Sequence, residues 1–121
     1  MTTPQEDPTV IAQRLNLATG FQSSERDWVV QRLAALGSRL RSFPDTQVEL
    51  EISVKERHGA DQQVTLECWI NRNPRLHLVS TSSARDVAVA GGEVRDDLIR
   101  QVDDAKTRTE HRSNHARRPT P

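Results

Sequence analysis

The sequence predicts an α+β fold: a two-layer sandwich in the order β-α-β-β-β-α, with a four-stranded sheet and both helices on one face. Two observations carry this expectation. Between residues 46 and 81, apolar and polar side chains alternate with a period of two through three successive stretches, the mark of strands with one buried face. On either side of them, at 24–43 and 84–110, the apolar residues recur every three or four positions, as on a helix with one buried stripe.

The elements follow in order. Residues 1–8 contain Pro4 and Pro8 and no apolar period, and are expected to be a disordered lead-in. Ile11, Leu15 and Leu17 fall on one side of an alternating stretch, which predicts a strand over about 9–17. Ser23 or Ser24 is the expected cap of a helix with Glu25 and Asp27 in its first turn. Val29, Leu33, Leu36 and Leu40 form its stripe, and Pro44 ends the pattern near Phe43. Val48, Leu50, Ile52 and Val54 then alternate with Glu49, Glu51, Ser53 and Lys55. A turn at His58–Asp61 leads to Val64, Leu66, Cys68 and Ile70, so the two runs predict an antiparallel hairpin. Asn71–Pro74 turns the chain again into a third strand, with Leu76, Leu78 and Ser80 opposite His77, Val79 and Thr81. The last helix buries Val87, Gly91, Val94, Leu98 and Val102. Gly91 and Gly92 conflict with helix propensity, at about 1 kcal/mol each against Ala, and close packing on the sheet at Gly91 is favoured over a kink. Residues 9–110 thus make one α+β domain, and 111–121 are expected to be a flexible basic tail.

Composition narrows the function. A chain of 121 residues fits one domain, and aromatics at 3% leave an aliphatic core. No apolar run approaches the roughly 20 residues that span a bilayer, and the polar N-terminus does not resemble a secretion signal. The lone Cys68 has no disulfide partner in the chain, in keeping with a reducing compartment, so a cytoplasmic protein with no membrane partner is expected. Basic and acidic residues balance at 17 each, which argues against binding nucleic acid by bulk charge alone. The charge is nonetheless uneven: Arg108, Arg112, Arg117 and Arg118 face only Glu110 after residue 107. All basic residues but Lys55 and Lys106 are arginine, a bias that suits phosphate recognition and equally suits a GC-rich genome.

The second helical stretch carries a resemblance. Asp86, Ala90, Leu98, Arg100, Gln101 and Val102 stand at the offsets of the last helix of the ribosome hibernation promoting factor family, without a gap. The segment Asp27–Leu36 resembles that family's aromatic-Val-x-x-basic-Leu-x-x-Leu helix, and the element order is the same. The resemblance covers about residues 9–110. It implies a short hibernation factor without the dimerisation domain of long members, a translation inhibitor occluding the messenger and transfer RNA sites of the small ribosomal subunit. It also implies contact with ribosomal RNA through basic residues of the two helices. Carried over, Arg32 stands at a commonly basic position of the first helix, and Arg100 and Arg108 at basic positions of the second. Arg39 and Arg41 join the first group by position alone. Asp97 and Asp104 depart from the family, standing where lysine is common, and Ala88 stands where an aromatic is frequent.

Each candidate has an ordinary alternative. The helix arginines are either an RNA patch or a solvated exterior, and Arg112, Arg117 and Arg118 either thread along RNA or form a simple end. Trp69 is predicted on the uncovered sheet face, as a contact for a protein partner, a homodimer or a stacked base. A protein-interaction module on the same fold is therefore the alternative function. No nucleophile with a base, paired cleft carboxylates, Gly-rich phosphate loop or Cys/His metal spacing is present, so the sequence predicts no enzyme, no cofactor, no metal and no small-molecule substrate.

Overall fold

The alternating residues do form strands, and the computed structural model pairs them in the expected sheet. It describes residues 9–117, with side chains described at 10–44 and 46–108. The order is α1 (Thr9–Arg14), β1 (Leu15–Leu17), α2 (Arg26–Leu40), β2 (Val48–Lys55), β3 (Gln63–Ile70), β4 (Leu76–Ser82) and α3 (Val87–Arg117). Strands lie in the order β1-β2-β3-β4, β1 parallel to β2 and the other two pairs antiparallel. The fold class is therefore the predicted α+β sandwich, with one helix more than expected.

The register makes the core. Leu50 pairs with Cys68 and Ile52 with Leu66, so the apolar residues of β2 and β3 share one face. Val48, Ile52, Val64, Leu66, Cys68 and Ile70 are at most 2% exposed. Against them pack Val29, Leu33, Leu36 and Leu40 of α2 and Ala90, Val94, Leu98 and Val102 of α3. Burial pushes the Cys68 thiol up to about 12, so it is a core side chain with no thiolate chemistry at neutral pH.

Three expectations need correction. Residues 9–14 are helical, and only Leu15–Leu17 form a strand. Val10 and Ile11 are buried from that short helix, which Arg26 ties to α2 through the carbonyls of Ala12 (2.6 Å) and Leu15 (2.9 Å). Ser23 and Ser24 do not cap α2; they lie in a 3₁₀ turn, Ser23–Glu25, that leads into it. The tail predicted at 111–121 is helical through Arg117, as α3 runs on for 31 residues. The predicted lead-in 1–8 and residues 118–121 lie outside the described residues.

The glycine pair in α3 packs closely, but on α2 rather than the sheet. A Cβ at Gly91 would stand 3.4 Å from the Arg32 Cγ, and one at Gly92 3.7 Å from its Nε. The bare backbone lets Arg32 lie flat and donate from Nε to the Ala88 carbonyl at 2.7 Å. Gly20 has a different reason: its φ of +89° is left-handed, and a Cβ there would collide with the Val54 carbonyl. That approach lets β1's parallel pairing continue past its end, with Ala18 N–H on the Ile52 carbonyl and Val54 N–H on the Thr19 carbonyl, both at 2.8 Å.

The two kinds of glycine predict opposite outcomes. Gly20→Ala should destabilise the protein by about 2 kcal/mol or more, from steric conflict and a disfavoured φ. Gly92→Ala, with only ordinary contacts around the new methyl, should stabilise it by about 0.5–1 kcal/mol. Urea midpoints of the two variants, at unchanged denaturant slope, check both.

Candidate nucleic-acid interface

Arginines on a helix exterior meet a phosphate with whatever donors the helix pair leaves them. The structure uses several. Arg32 bridges α2 to α3 through its bond to Ala88, and Arg95 returns the bridge by donating to the Arg32 carbonyl at 3.1 Å. Further along the seam, Lys106 donates to the Arg39 carbonyl at 2.6 Å. Arg32 thus has a structural task, and its substitution would first loosen the helix pair.

Arg100 is exposed, but its surroundings are acidic. Asp96, Asp97, Asp103 and Asp104 stand one helical turn before and after it, the neighbours at i±3 and i±4. The Asp97 carboxylate lies 3.6 Å from the guanidinium. Arg100 reaches past them, 78% exposed against 40% for Asp97, but the surrounding carboxylates lower the positive field that a polyanion would meet there. The other residues of the motif have folding tasks. The Asp86 carboxylate accepts from Ala88 N–H at 2.8 Å and caps α3, Ala90, Leu98 and Val102 are core, and Gln101 donates to the Val79 carbonyl of edge strand β4 at 2.8 Å.

Where α2 ends, the chain gathers cations. Arg39 and Arg41 close α2, Arg72 and Arg75 come from the β3–β4 turn, and Lys106 comes from α3. Two of them meet at Phe43, whose ring has the Arg72 guanidinium and the Lys106 ammonium each 5.5 Å from its centre. Arg39 faces Asp103 at a loose 3.9 Å with both side chains about half exposed, a pair that exchanges readily with solvent or another anion. Arg75 and Arg108 are exposed and make no ion pair or side-chain hydrogen bond among the described residues. Ser82 bonds Glu93 and Val79 bonds Gln101, so α3 runs antiparallel to β4 and carries Arg108 toward the Arg75 end of that strand.

Of the predicted RNA-binding residues, Arg39, Arg41 and Arg108 therefore share one end of the sandwich, while Arg32 and Arg100 stand apart from it. Arg112 and Arg117 belong to the helix that continues from this end, with side chains outside the described residues, as is Arg118. Arg72, Arg75 and Lys106 were not singled out by the sequence. The signal available was Asn71-Arg72-Asn73-Pro74-Arg75, a turn with two cations, which acquires meaning only when β3 and β4 bring it beside Phe43.

The uncovered sheet face is of opposite character. Trp69 stacks on His77 with ring centres 5.0 Å apart and planes 7° from parallel. Glu49, Glu51 and Glu67 lie on the same face, Glu67 accepting from or pairing with His77 at 3.3 Å, and Val79 is 40% exposed beside them. This acidic face disfavours a polyanion, which leaves a protein contact as the use it suits.

The opposite end of the molecule carries a built network. The Glu25 carboxylate takes both guanidinium nitrogens of Arg57 at 2.7 Å, the Gln22 N–H at 3.0 Å and the Trp28 indole N–H at 3.3 Å. Held first by Arg57 and then by the Gln22 N–H, Glu25 is lowered from an ordinary 4.5 to about 2. Arg57 also lies over Phe21 and donates to the Gly20 carbonyl at 2.8 Å. The adjoining turn places two non-glycine residues in left-handed backbone, Glu56 at φ 50° and His58 at φ 70°, at about 1–2 kcal/mol each. Gln62, 2% exposed, accepts from His58 N–H and donates to the Ala84 and Arg85 carbonyls at 2.9 Å, pinning this turn to the loop before α3.

Among the described residues, no group of His, Cys, Asp and Glu is placed to hold a metal ion, and no helix is long and apolar enough to cross a membrane. No protein-family model and no curated protein matches this chain.

Two outcomes are expected at the built end. Because Glu25 titrates lower when folded, its pairing contributes fully above about pH 4.5 and is lost as pH falls toward 2. Urea midpoints between pH 6 and 2.5 should therefore fall less steeply for Glu25→Gln than for the native protein. Gln62→Ala, which removes the partner of three part-buried backbone groups, should lower stability by about 1–2 kcal/mol in the same assay.

Proposed function

We propose that this chain is a ribosome-binding translation inhibitor of the hibernation type. On this reading it is a non-enzymatic cytoplasmic protein that occupies the messenger and transfer RNA sites of the small ribosomal subunit through contacts to ribosomal RNA. Its observational support is the basic end around Phe43. Cations from three separate elements meet there, while the sheet face carries glutamates, so the molecule has one side that attracts a polyanion and one that repels it. The resemblance of Asp86–Val102 and Asp27–Leu36 to the hibernation factors supplies the identity of the RNA. The α+β fold class supports the reading only at the level of the fold, and the helix α1 ahead of β1 is an addition to the family's element order.

In this reading phosphates exchange for the loose Arg39–Asp103 contact and meet Arg75 and Arg108 directly. Arg41, Arg72 and Lys106 add field, and α3 extends the surface through the positions of Arg112 and Arg117. Arg32 holds the helices together, and Arg100 is screened by its aspartates. The second reading, a divergent relative acting as a protein-interaction module on the same fold, is favoured by the stacked Trp69–His77 pair beside Val79. A protein partner or a second copy would there cover the sheet face.

Co-sedimentation with isolated small ribosomal subunits across a salt series tests the proposal. Binding should fall steeply with salt and be competed by messenger RNA. Arg75→Ala with Arg108→Ala should weaken it about tenfold or more and flatten the log–log salt slope by roughly one to two units. Arg100→Ala should change it less than about twofold, since its charge is already compensated. No binding at low salt, or equal binding by the double variant, refutes the assignment. Binding that ignores salt and is lost in Trp69→Ala would favour the protein-interaction reading.

A further inference from the structure

We infer that the cleft at the start of α3 binds a nucleotide, holding its phosphate between Arg85 and His58 and stacking its base on Trp28. The cleft has a volume of about 560 Å³, within the range of small-molecule sites, and opens to solvent between the start of α2, the β2–β3 turn and the loop before α3. A second hollow of about 230 Å³ adjoins it, walled by His58, Gly59, Ala60 and Arg85. His58 and Arg85 line both, so they stand at the junction of a larger chamber and a smaller one walled by small residues.

The charges in the cleft select the ligand. Two carboxylates line it: Glu25 is paired with Arg57, and Asp86, which keeps its charge, accepts from the Ala88 and Val89 N–H groups at the start of α3. Arg57 is committed in turn to Glu25. Arg85 is exposed, and its guanidinium has no hydrogen bond or ion pair among the described residues, nor has the His58 ring. The uncommitted donors are therefore the guanidinium fork and the imidazole, groups that together fit a phosphate. Beside them Trp28 supplies the aromatic wall, its orientation fixed by the Glu25 bond and by Phe21 at 6.2 Å between ring centres. Val87 and Ala88 complete that side without adding charge. A base against the indole with its phosphate toward Arg85 uses each of these groups.

The strained turn gains a reason in this arrangement. Left-handed backbone at Glu56 and His58 is held in place by Gln62 and by the Arg57–Glu25 pair, two clamps that keep His58 beside Arg85 before any ligand arrives. The cleft lies at the other end of α2 from the basic surface around Phe43, so the inference stands or falls apart from the ribosomal reading.

Free nucleotides and the 5′ end of an RNA strand share this chemistry, and fluorescence separates them. The chain has two tryptophans, so Trp69→Phe leaves Trp28 as the sole reporter. In that background, 5′-AMP and a 5′-phosphorylated tetranucleotide are titrated, with adenosine as the phosphate-free control. Saturable quenching by 5′-AMP, weakened about tenfold or more by Arg85→Ala and for adenosine, is expected. Quenching by 5′-AMP but not the tetranucleotide assigns a free nucleotide; comparable or tighter binding of the tetranucleotide assigns a strand end. Calorimetry on the unsubstituted protein gives the affinity without the Trp69 change. No saturable signal with either ligand up to millimolar concentration, or an affinity unmoved by Arg85→Ala, overturns the inference.

Discussion

The aliphatic face shared by β2 and β3 is the constraint on which the rest of the molecule depends. Eight side chains from Val48 to Ile70 point to one side of the hairpin, and Leu15, Leu17, Leu76 and Leu78 of the flanking strands extend the same apolar surface. With aromatics scarce, its stabilisation comes from area covered rather than from a few large side chains, at about 25 cal/mol per Å² of apolar surface. Both α2 and α3 are therefore drawn to the same face and against each other. Once they lie there, every charged residue must go to the outer side of the helices, to the far side of the sheet, or to the two ends.

That partition explains why so few helix arginines remain available. Two helices packed side by side over a narrow sheet have a long seam, and a guanidinium stem is well shaped to fill it while its head finds a carbonyl. Arg32 lies over Gly91 and Gly92 for this purpose, and Arg95 and Lys106 reach back to carbonyls of α2. The seam consumes the cations nearest the centre of the helical layer. At its end lies Phe43, where Lys106 serves the seam and the ring together. The acidic positions of α3 have a local consequence as well: Asp97 faces Arg100 while Asp96 and Asp103 face Arg95 and Arg39, so the positive field along the outer surface of this helix is weakened.

Much of the fold was legible because the period of two and the period near four are each repeated several times in the central elements. The first element was not, and Ile11 and Leu15 show why. A spacing of four is both an even number of strand residues and about one helical turn, so that pair satisfies both periods; Leu17 tipped the reading toward a strand. Packing decides it differently, because Val10 and Ile11 are neighbours in sequence and only a helical turn buries both against α2. The end of α3 was hidden for another reason. Its apolar stripe stops at Ala105, and the residues that follow to Arg117 carry neither an apolar period nor strong helix propensity that would extend the helix in a reading of the sequence. For the candidate interface, sequence indicated which residues are exterior, but not which exterior cations the helix seam occupies. Nor did it indicate that a turn thirty residues from Lys106 shares its aromatic ring.

The two ends differ in the kind of order they possess, and this separates what each can recognise. Around Phe43, Arg39, Arg41 and Arg75 are exposed while Arg72 and Lys106 are half-buried against the ring, with Lys106 also held by the Arg39 carbonyl, so this end offers a field of positive charge more than a fixed set of donors. At the other end a buried glutamine, a bidentate ion pair and two left-handed residues hold the backbone at His58 and Arg85 in fixed relation, while the exposed side chains of those two residues keep their freedom. Ordering the loops in advance lowers the cost of binding a single compact ligand there. α2 spans 15 residues, about 22 Å, between them. At physiological salt that exceeds the screening length of roughly 8 Å, so a charge bound at one end is hardly felt at the other. The sheet face, carrying its glutamates between the two, turns a polyanion away from the middle and toward the ends.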